Sequence, residues 1–113
     1  MQSHHQPAGT PIIITLPGPA IHHRSMDSVR DLVETQLNRG ESRLALDFSD
    51  IRFIDSSALS LLISIGRRAT NLGGGVKFCA LQPAVREVLD ITRLTRLFDV
   101  HGTLESALDS FAK

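Results

Sequence analysis

Apolar residues in this chain fall into short runs whose spacing switches between the alternating period of a strand and the roughly 3.6-residue period of a helix. Pro11-Ile12-Ile13-Ile14-Thr15-Leu16 is apolar and β-branched, which predicts a strand, and Pro17-Gly18-Pro19 stops it. Met26, Val29, Leu32, Val33 and Leu37 then recur at helical spacing. They predict an amphipathic helix over 26–39, with Ser25 as N-cap and Gly40 as terminator. Leu44-Ala45-Leu46-Asp47-Phe48 predicts a second strand, short enough to be central. The stretch from Ser49 to Ser57 reads as a turn followed by a return to the sheet.

Ala58, Leu61, Leu62, Ile65 and Ala69 mark a second helix of about four turns, ended by Gly73-Gly74-Gly75. Val76 to Ala80 predicts another strand. Pro83 suits the first position of a third helix carried by Ala84, Val85, Val88 and Leu89. Leu97 to Val100 predicts a last short strand, and Thr103 a cap for a terminal helix with Leu104, Ala107, Leu108 and Phe111 inward. Strands alternating with helices argue for an α/β sheet with crossover helices rather than a sandwich. The pattern predicts one domain over 11–113, preceded by a weakly structured N-terminus or edge strand at 1–10. No internal repeat or linker interrupts it.

Composition narrows the function classes. The 113 residues suit a single core, and 42% apolar with 21% charged residues is ordinary for a globular chain. Lys+Arg and Asp+Glu both number 12, so the formal charge is zero. That argues against a nucleic-acid binder, which needs cations for phosphates. The single cysteine, Cys79, cannot form an internal disulfide, which suits a reducing compartment. The polar start has no basic region leading into an apolar run, and the longest apolar stretch, Ala58 to Ile65, is too short to span a bilayer. A cytoplasmic protein without membrane insertion is expected.

The informative constellation is Asp55-Ser56-Ser57, where a strand region feeds the second helix. Asp and Ser are favoured helix caps because their oxygens accept from unpaired N–H groups. A plain cap is therefore one explanation. The other uses the same physics: a phosphate on a serine at a helix start is stabilised by those N–H groups and by the positive end of the helix dipole. It would add roughly −1.5 to −2 charges beside Asp55 and repel a partner packed over the helix start. The residues alone leave both explanations open.

The segment from Leu44 to Leu59, with Asp55-Ser56-Ser57-Ala58-Leu59 at its end, resembles the signature of STAS domains, the anti-sigma-factor antagonists. Gly73-Gly74-Gly75-Val76-Lys77-Phe78-Cys79 resembles the family's Gly-Gly turn and strand. Gln82 to Leu94 resembles its Ser-Pro-x-Val-x-x-x-Leu-x-x-Thr-x-Leu helix. The resemblance covers roughly residues 11–112. It implies an α/β STAS-type fold, a mixed sheet of four to five strands and about four helices packed on one face. It implies no catalytic activity and no cofactor.

It further implies phosphorylation of Ser56 by a partner serine kinase that doubles as an anti-sigma factor, with removal by a PP2C-type phosphatase. The implied docking face holds Asp55, Ser57, Ala58, Leu59, Ile21, His22 and His23, on a monomer or weak dimer. Two positions depart from the family pattern. Ala58 stands where the family has Gly, and Ile21 where it often has Asp after Gly-x-Leu. The Ile21 departure favours a competing expectation, a constitutive interaction module in a signalling scaffold or a lipid-transport complex.

Other signals carry less. His22-His23, with His4, His5 and His101, lack metal-ligand spacing, and a contact role at the docking face suits the adjacent pair better. Gly73-Gly74-Gly75-Val76-Lys77 lacks a phosphate loop's Gly-Lys-Ser/Thr ending. Cys79 reads as a small buried hydrophobe, and Arg67-Arg68 as complements to a helix C-terminus. An enzyme is disfavoured, since no acid–base pair, metal site or phosphate loop is evident.

Overall fold

The computed structural model describes residues 11–111. Strand β1 (Ile12–Thr15) and the two-residue strand β2 (Ala20–Ile21) precede helix α1 (Met26–Asn38). Strands β3 (Arg43–Asp47) and β4 (Phe53–Ile54) lead into helix α2 (Ser56–Asn71). Strand β5 (Gly75–Cys79), helix α3 (Pro83–Ile91), a single 3₁₀ turn (Leu94–Arg96), strand β6 (Asp99–His101) and helix α4 (Leu104–Phe111) complete the order. All four expected helices are present, with Pro83 in the first turn of α3. The edge strand expected within 1–10, with His4 and His5, lies outside the described residues.

The main sheet has the order β1-β3-β5-β6, and β2 and β4 form a separate two-stranded sheet. Every pairing among the described residues is parallel. A parallel neighbour needs a crossover connection, and α1 and α2 supply the first two. The return expected near Phe53 therefore joins β2 rather than the main sheet. Its register sets Ala20 against Phe53 and Ile21 against Ile54.

Leu44, Leu46, Phe48, Val76 and Phe78 point to one face of the sheet and meet Val29, Val33, Leu62, Ile65 and Ala69 of α1 and α2 in one buried cluster. Phe78 is its aromatic centre. Its ring lies 4.9 Å from that of Phe48 and 4.5 Å from that of Phe98. Phe98 covers Gly66 of α2 so closely that a Cβ there would collide with the ring. Alternation sends Arg43, Lys77 and Cys79 to the opposite face. There the Lys77 ammonium sits 4.8 Å from the ring centroid of Phe111, and Arg43 donates to the Phe111 carbonyl at 3.1 Å. Helices thus cover both faces, with α4 opposite α2, where one covered face was expected. Burial on two sides explains the unbroken apolar run Leu44-Ala45-Leu46 in β3, while β5 keeps Lys77 on the α4 face, where Asp99 pairs it.

Local chemistry sets the element ends. Gly40 and Gly73 follow α1 and α2 at φ +84° and +92°, a backbone region that side chains resist. Thr103 accepts from the Ser106 N–H at 3.1 Å, as its capping role requires. Ser25 occupies the N-cap position of α1 but does not cap it. Its hydroxyl turns back, donating to the Ala20 carbonyl at 2.9 Å and accepting from the His22 N–H at 3.0 Å. It therefore closes the β2–α1 turn. Leu32, expected inward, is largely exposed, while Val29, Val33 and Leu37 are buried. Cys79 is buried as expected, with its thiol 3.6 Å from the Leu46 carbonyl. Burial, aided by nearby Asp47, pushes that thiol up to about 11.

Two substitutions test this packing. Phe78→Ala removes the ring between Phe48 and Phe98 and should cost about 3–5 kcal/mol in urea unfolding. Gly18 sits against the backbone of Asp50, where a Cβ would overlap the carbonyl oxygen. Gly18→Ala should cost about 1–3 kcal/mol through overpacking, and should shift amide resonances of β2 and β4 more than those of β5.

Candidate functional site

The segment joining β4 to α2 is fixed by one side chain. Asp55 is the N-cap of α2, in extended backbone, and its Oδ1 accepts from the Ala58 N–H at 3.0 Å. Its Oδ2 accepts from the His23 N–H at 3.2 Å. The Asp55 N–H in turn donates to the Ile21 carbonyl at 3.2 Å. These bonds bring the β2–α1 loop against the start of α2, although they are more than 30 residues apart in sequence, as the 32-residue separation of His23 and Asp55 shows. His23 Nδ1 lies 3.9 Å from the same carboxylate oxygen.

Those contacts set the charge of Asp55. The Ala58 N–H holds the carboxyl below its ordinary value, against a smaller opposing effect of desolvation. The His23 and Ser57 N–H groups and the nearby His23 ring add to the lowering. Asp55 is thus the structural cap that residue type predicts, and the role of cap falls to it rather than to Ser56.

Ser56 is the first residue of α2 and is exposed. Among the described residues its hydroxyl has no hydrogen-bond partner, so it is presented to solvent beside the helix start. His23 is exposed, and Ser57 and His22 are half-buried nearby in the chain. His22 Nδ1 accepts from the Arg24 N–H at 3.0 Å, and the two histidine ring centroids are 5.9 Å apart and tilted. Among the described residues no group of three His, Cys, Asp or Glu side chains is arranged to hold a metal.

Two expected contact residues are placed differently. The side chain of Ile21 is fully buried, because β2 pairs with β4 and turns it into the core. Ala58 is fully buried too, its methyl group packed in the main cluster where the family pattern has no Cβ. Both side chains therefore belong to the core and are not available at the surface. Leu59 is half-buried and packs against the same core. Conversely, Phe53 was missed. It is 57% exposed, three residues before Ser56 in sequence, and is a large apolar side chain beside the site. Strand alternation was the available signal: with Ile54 inward, Phe53 must face out.

A family model described as the STAS domain matches residues 3–107. This chain belongs to the STAS domain family. Within it, the chain is similar to the anti-sigma F factor antagonist of Paenibacillus polymyxa, at 26% identity over 98 residues, 86% of this chain and 83% of that protein. It is 30% identical over 76 residues to BtrV of Bordetella bronchiseptica, which carries a provisional assignment as an anti-sigma factor antagonist. That match spans 67% of this chain and 66% of BtrV, just under two thirds of the relative. Among solved structures it is similar to SpoIIAA of Bacillus in the phosphorylated form, with a TM-score of 0.68 and 21% identity, covering 94% of this chain and 95% of that one. SpoIIAA in its unphosphorylated form gives a TM-score of 0.76 at 22% identity, covering 94% and 91%. At those identities the structures show that the STAS fold is shared. No helix among the described residues is long and apolar enough to cross a membrane.

A carboxylate held below its unfolded value stabilises the fold above that value, near 3.8 for Asp, and loses the contribution as pH falls through the folded one. Asp55→Ala should therefore lower the melting temperature at pH 7, and its deficit against the parent should shrink below about pH 4. Thermal melts of both proteins from pH 7 to 3 check this. A deficit constant across that range would show that the carboxylate charge is not involved.

Proposed function

We propose that this domain is an anti-sigma factor antagonist whose binding is switched by reversible phosphorylation of Ser56. The observation that carries this reading is the placement of an exposed, unpartnered serine hydroxyl at the first position of α2, with the neighbouring carboxylate already committed to the cap. A kinase can reach that oxygen without unfolding the helix start. The attached phosphate would sit by the positive end of a sixteen-residue helix. It would also stand next to ionised Asp55, so that roughly −1.5 to −2 charges join one already present.

Membership in the STAS family supports the reading, as does the likeness to antagonists of known name. SpoIIAA, which shares the fold, exists in phosphorylated and unphosphorylated forms. In this reading a serine kinase acting as anti-sigma factor binds the unphosphorylated protein and modifies Ser56. A PP2C-type phosphatase restores the hydroxyl. Docking uses Phe53 as an apolar anchor, with the exposed His23 and Arg24 beside it. Asp55 and Ser57 hold the helix start that the partner covers. The chain itself performs no chemistry; it supplies an acceptor and a surface.

The test begins with protein isolated from its own cells. Intact-mass spectrometry should find a fraction heavier by about 80 Da, the mass of one phosphoryl group, and peptide mapping should assign it to Ser56. Ser56→Ala should abolish the modification and keep kinase binding. Ser56→Asp should weaken binding at least about tenfold, or ~1.4 kcal/mol, by calorimetry. A kinase that binds Ser56→Asp as tightly as the parent would refute the switch.

A further inference from the structure

A second feature lies at the far end of α2, about 20 Å along the helix from Ser56. It is an open cavity of about 650 Å³, bounded by the last turns of α2, the start of β5, the approach to β6 and the end of α4. That volume falls in the ~300–1,000 Å³ range of small-molecule sites. The cavity exists because β6 begins only at Asp99, opposite Lys77, which leaves the first residues of β5 without a neighbour on that side. Gly74 cannot fill the space, since it packs against the backbone of Ser42.

Its walls are of two kinds. Ile63, Val76 and Phe98 give it an apolar wall on the α2 face of the sheet, Phe111 lines it from the α4 face, and Leu97 is 68% exposed in its lining. Arg43, Arg67 and Lys77 reach the rim, against one carboxylate, Asp99. Lys77 is neutralised, its ammonium 2.6 Å from Asp99. Arg43 donates to the Phe111 carbonyl. Arg67 is exposed and has no carboxylate partner among the described residues. Among the described residues, Arg67 is therefore a cation without a carboxylate partner beside an apolar wall. The negative end of α2 does little to offset it. The carbonyls of Arg68, Ala69 and Thr70 already accept from the N–H groups of Leu72, Gly73 and Gly74.

We propose that this cavity binds a small amphipathic anion, an acyl carboxylate of medium chain length, with its head at Arg67 and its tail over Ile63, Val76 and Phe98. A neutral apolar molecule would leave Arg67 without a counter-charge. A polyanion without an apolar body would leave the apolar wall wet. A cation would meet Arg67. One negative charge on an apolar chain matches both walls. The inference does not rest on phosphorylation of Ser56, which is at the other end of the helix.

The test is titration of the ¹⁵N-labelled full chain with sodium decanoate below its micelle-forming concentration, followed by amide chemical shifts. The expected result is saturable, submillimolar binding, with the largest shifts at Thr70, Gly73 to Lys77 and Phe98. Arg67→Glu, at an exposed position, should stay folded, with a slightly lower melting temperature because it reverses a cation near the C-terminal end of α2, and should weaken binding about tenfold or more. Leu97→Ser at the mouth should weaken it by a smaller factor. 1-Decanol, which has the same tail without the charge, should bind at least about tenfold more weakly than decanoate. Shifts that fail to saturate or that cluster elsewhere would overturn the proposal. So would decanol binding equal to decanoate, or full affinity in a folded Arg67→Glu protein.

Discussion

The Asp55 carboxylate joins two parts of the chain that the β2–β4 pairing brings side by side. One oxygen caps α2 through Ala58, and the other holds the backbone of His23 in the loop before α1. Capping alone would need only the first bond. The second makes the start of α2 and the β2–α1 loop a single surface, and the β2–β4 pairing fixes the height at which they meet. The exposure of Ser56 follows from this division of labour: since Asp55 satisfies the helix N-terminus, the adjacent hydroxyl need not turn inward to do so.

Beneath that surface the sheet separates two environments. On one face Phe48, Phe78 and Phe98 form a continuous aromatic contact that α2 can approach closely only because Gly66 has no side chain. On the other face the odd-numbered positions of β3 and β5 carry Arg43, Lys77 and the buried Cys79 under α4. The Lys77–Asp99 pair and the Lys77–Phe111 contact give that side a mixed, partly polar character. The two faces differ in what their helices can tolerate. Packing under α2 depends on shape, whereas packing under α4 also depends on charge.

Much of this architecture was legible in the residue pattern. Helical spacing marked all four helices, because each buries a stripe of residues whose period is local. Gly40, Gly73, Pro83 and Thr103 marked their ends for reasons of backbone geometry that do not depend on neighbours. What escaped was tertiary. A strand of two residues has no period to read, so β2 and its pairing with β4 could not be seen, and with them the burial of Ile21. Ser25 has the right residue type for a cap, but the neighbouring carbonyl of Ala20 competes successfully for its hydroxyl. The second covered face was hidden for a similar reason. Nothing in the terminal helix's own spacing says which side of the sheet it returns to. At the site, Asp55 and Ser56 were legible as adjacent candidates for a cap and an acceptor. The second bond of the carboxylate, to a backbone N–H 32 residues away, was not.

The all-parallel main sheet also dictates an order of assembly. No hairpin exists among its strands: Ile12 of β1 meets Leu44 of β3, and Leu44 meets Val76 of β5, each about 30 residues further on, as a helical crossover demands. Each pairing must first close a loop of that length, and the entropy lost in closure is returned only when the crossover helix docks. The sheet is therefore made by the helices as much as it is covered by them. A chain emerging in sequence has no second strand of the main sheet to pair with until α1 is complete, and β3 stays one-sided until α2 has been made. The helix that presents Ser56 is thus an obligatory step in building the core, made before β5 can pair, and the sheet is not completed while that surface is unformed.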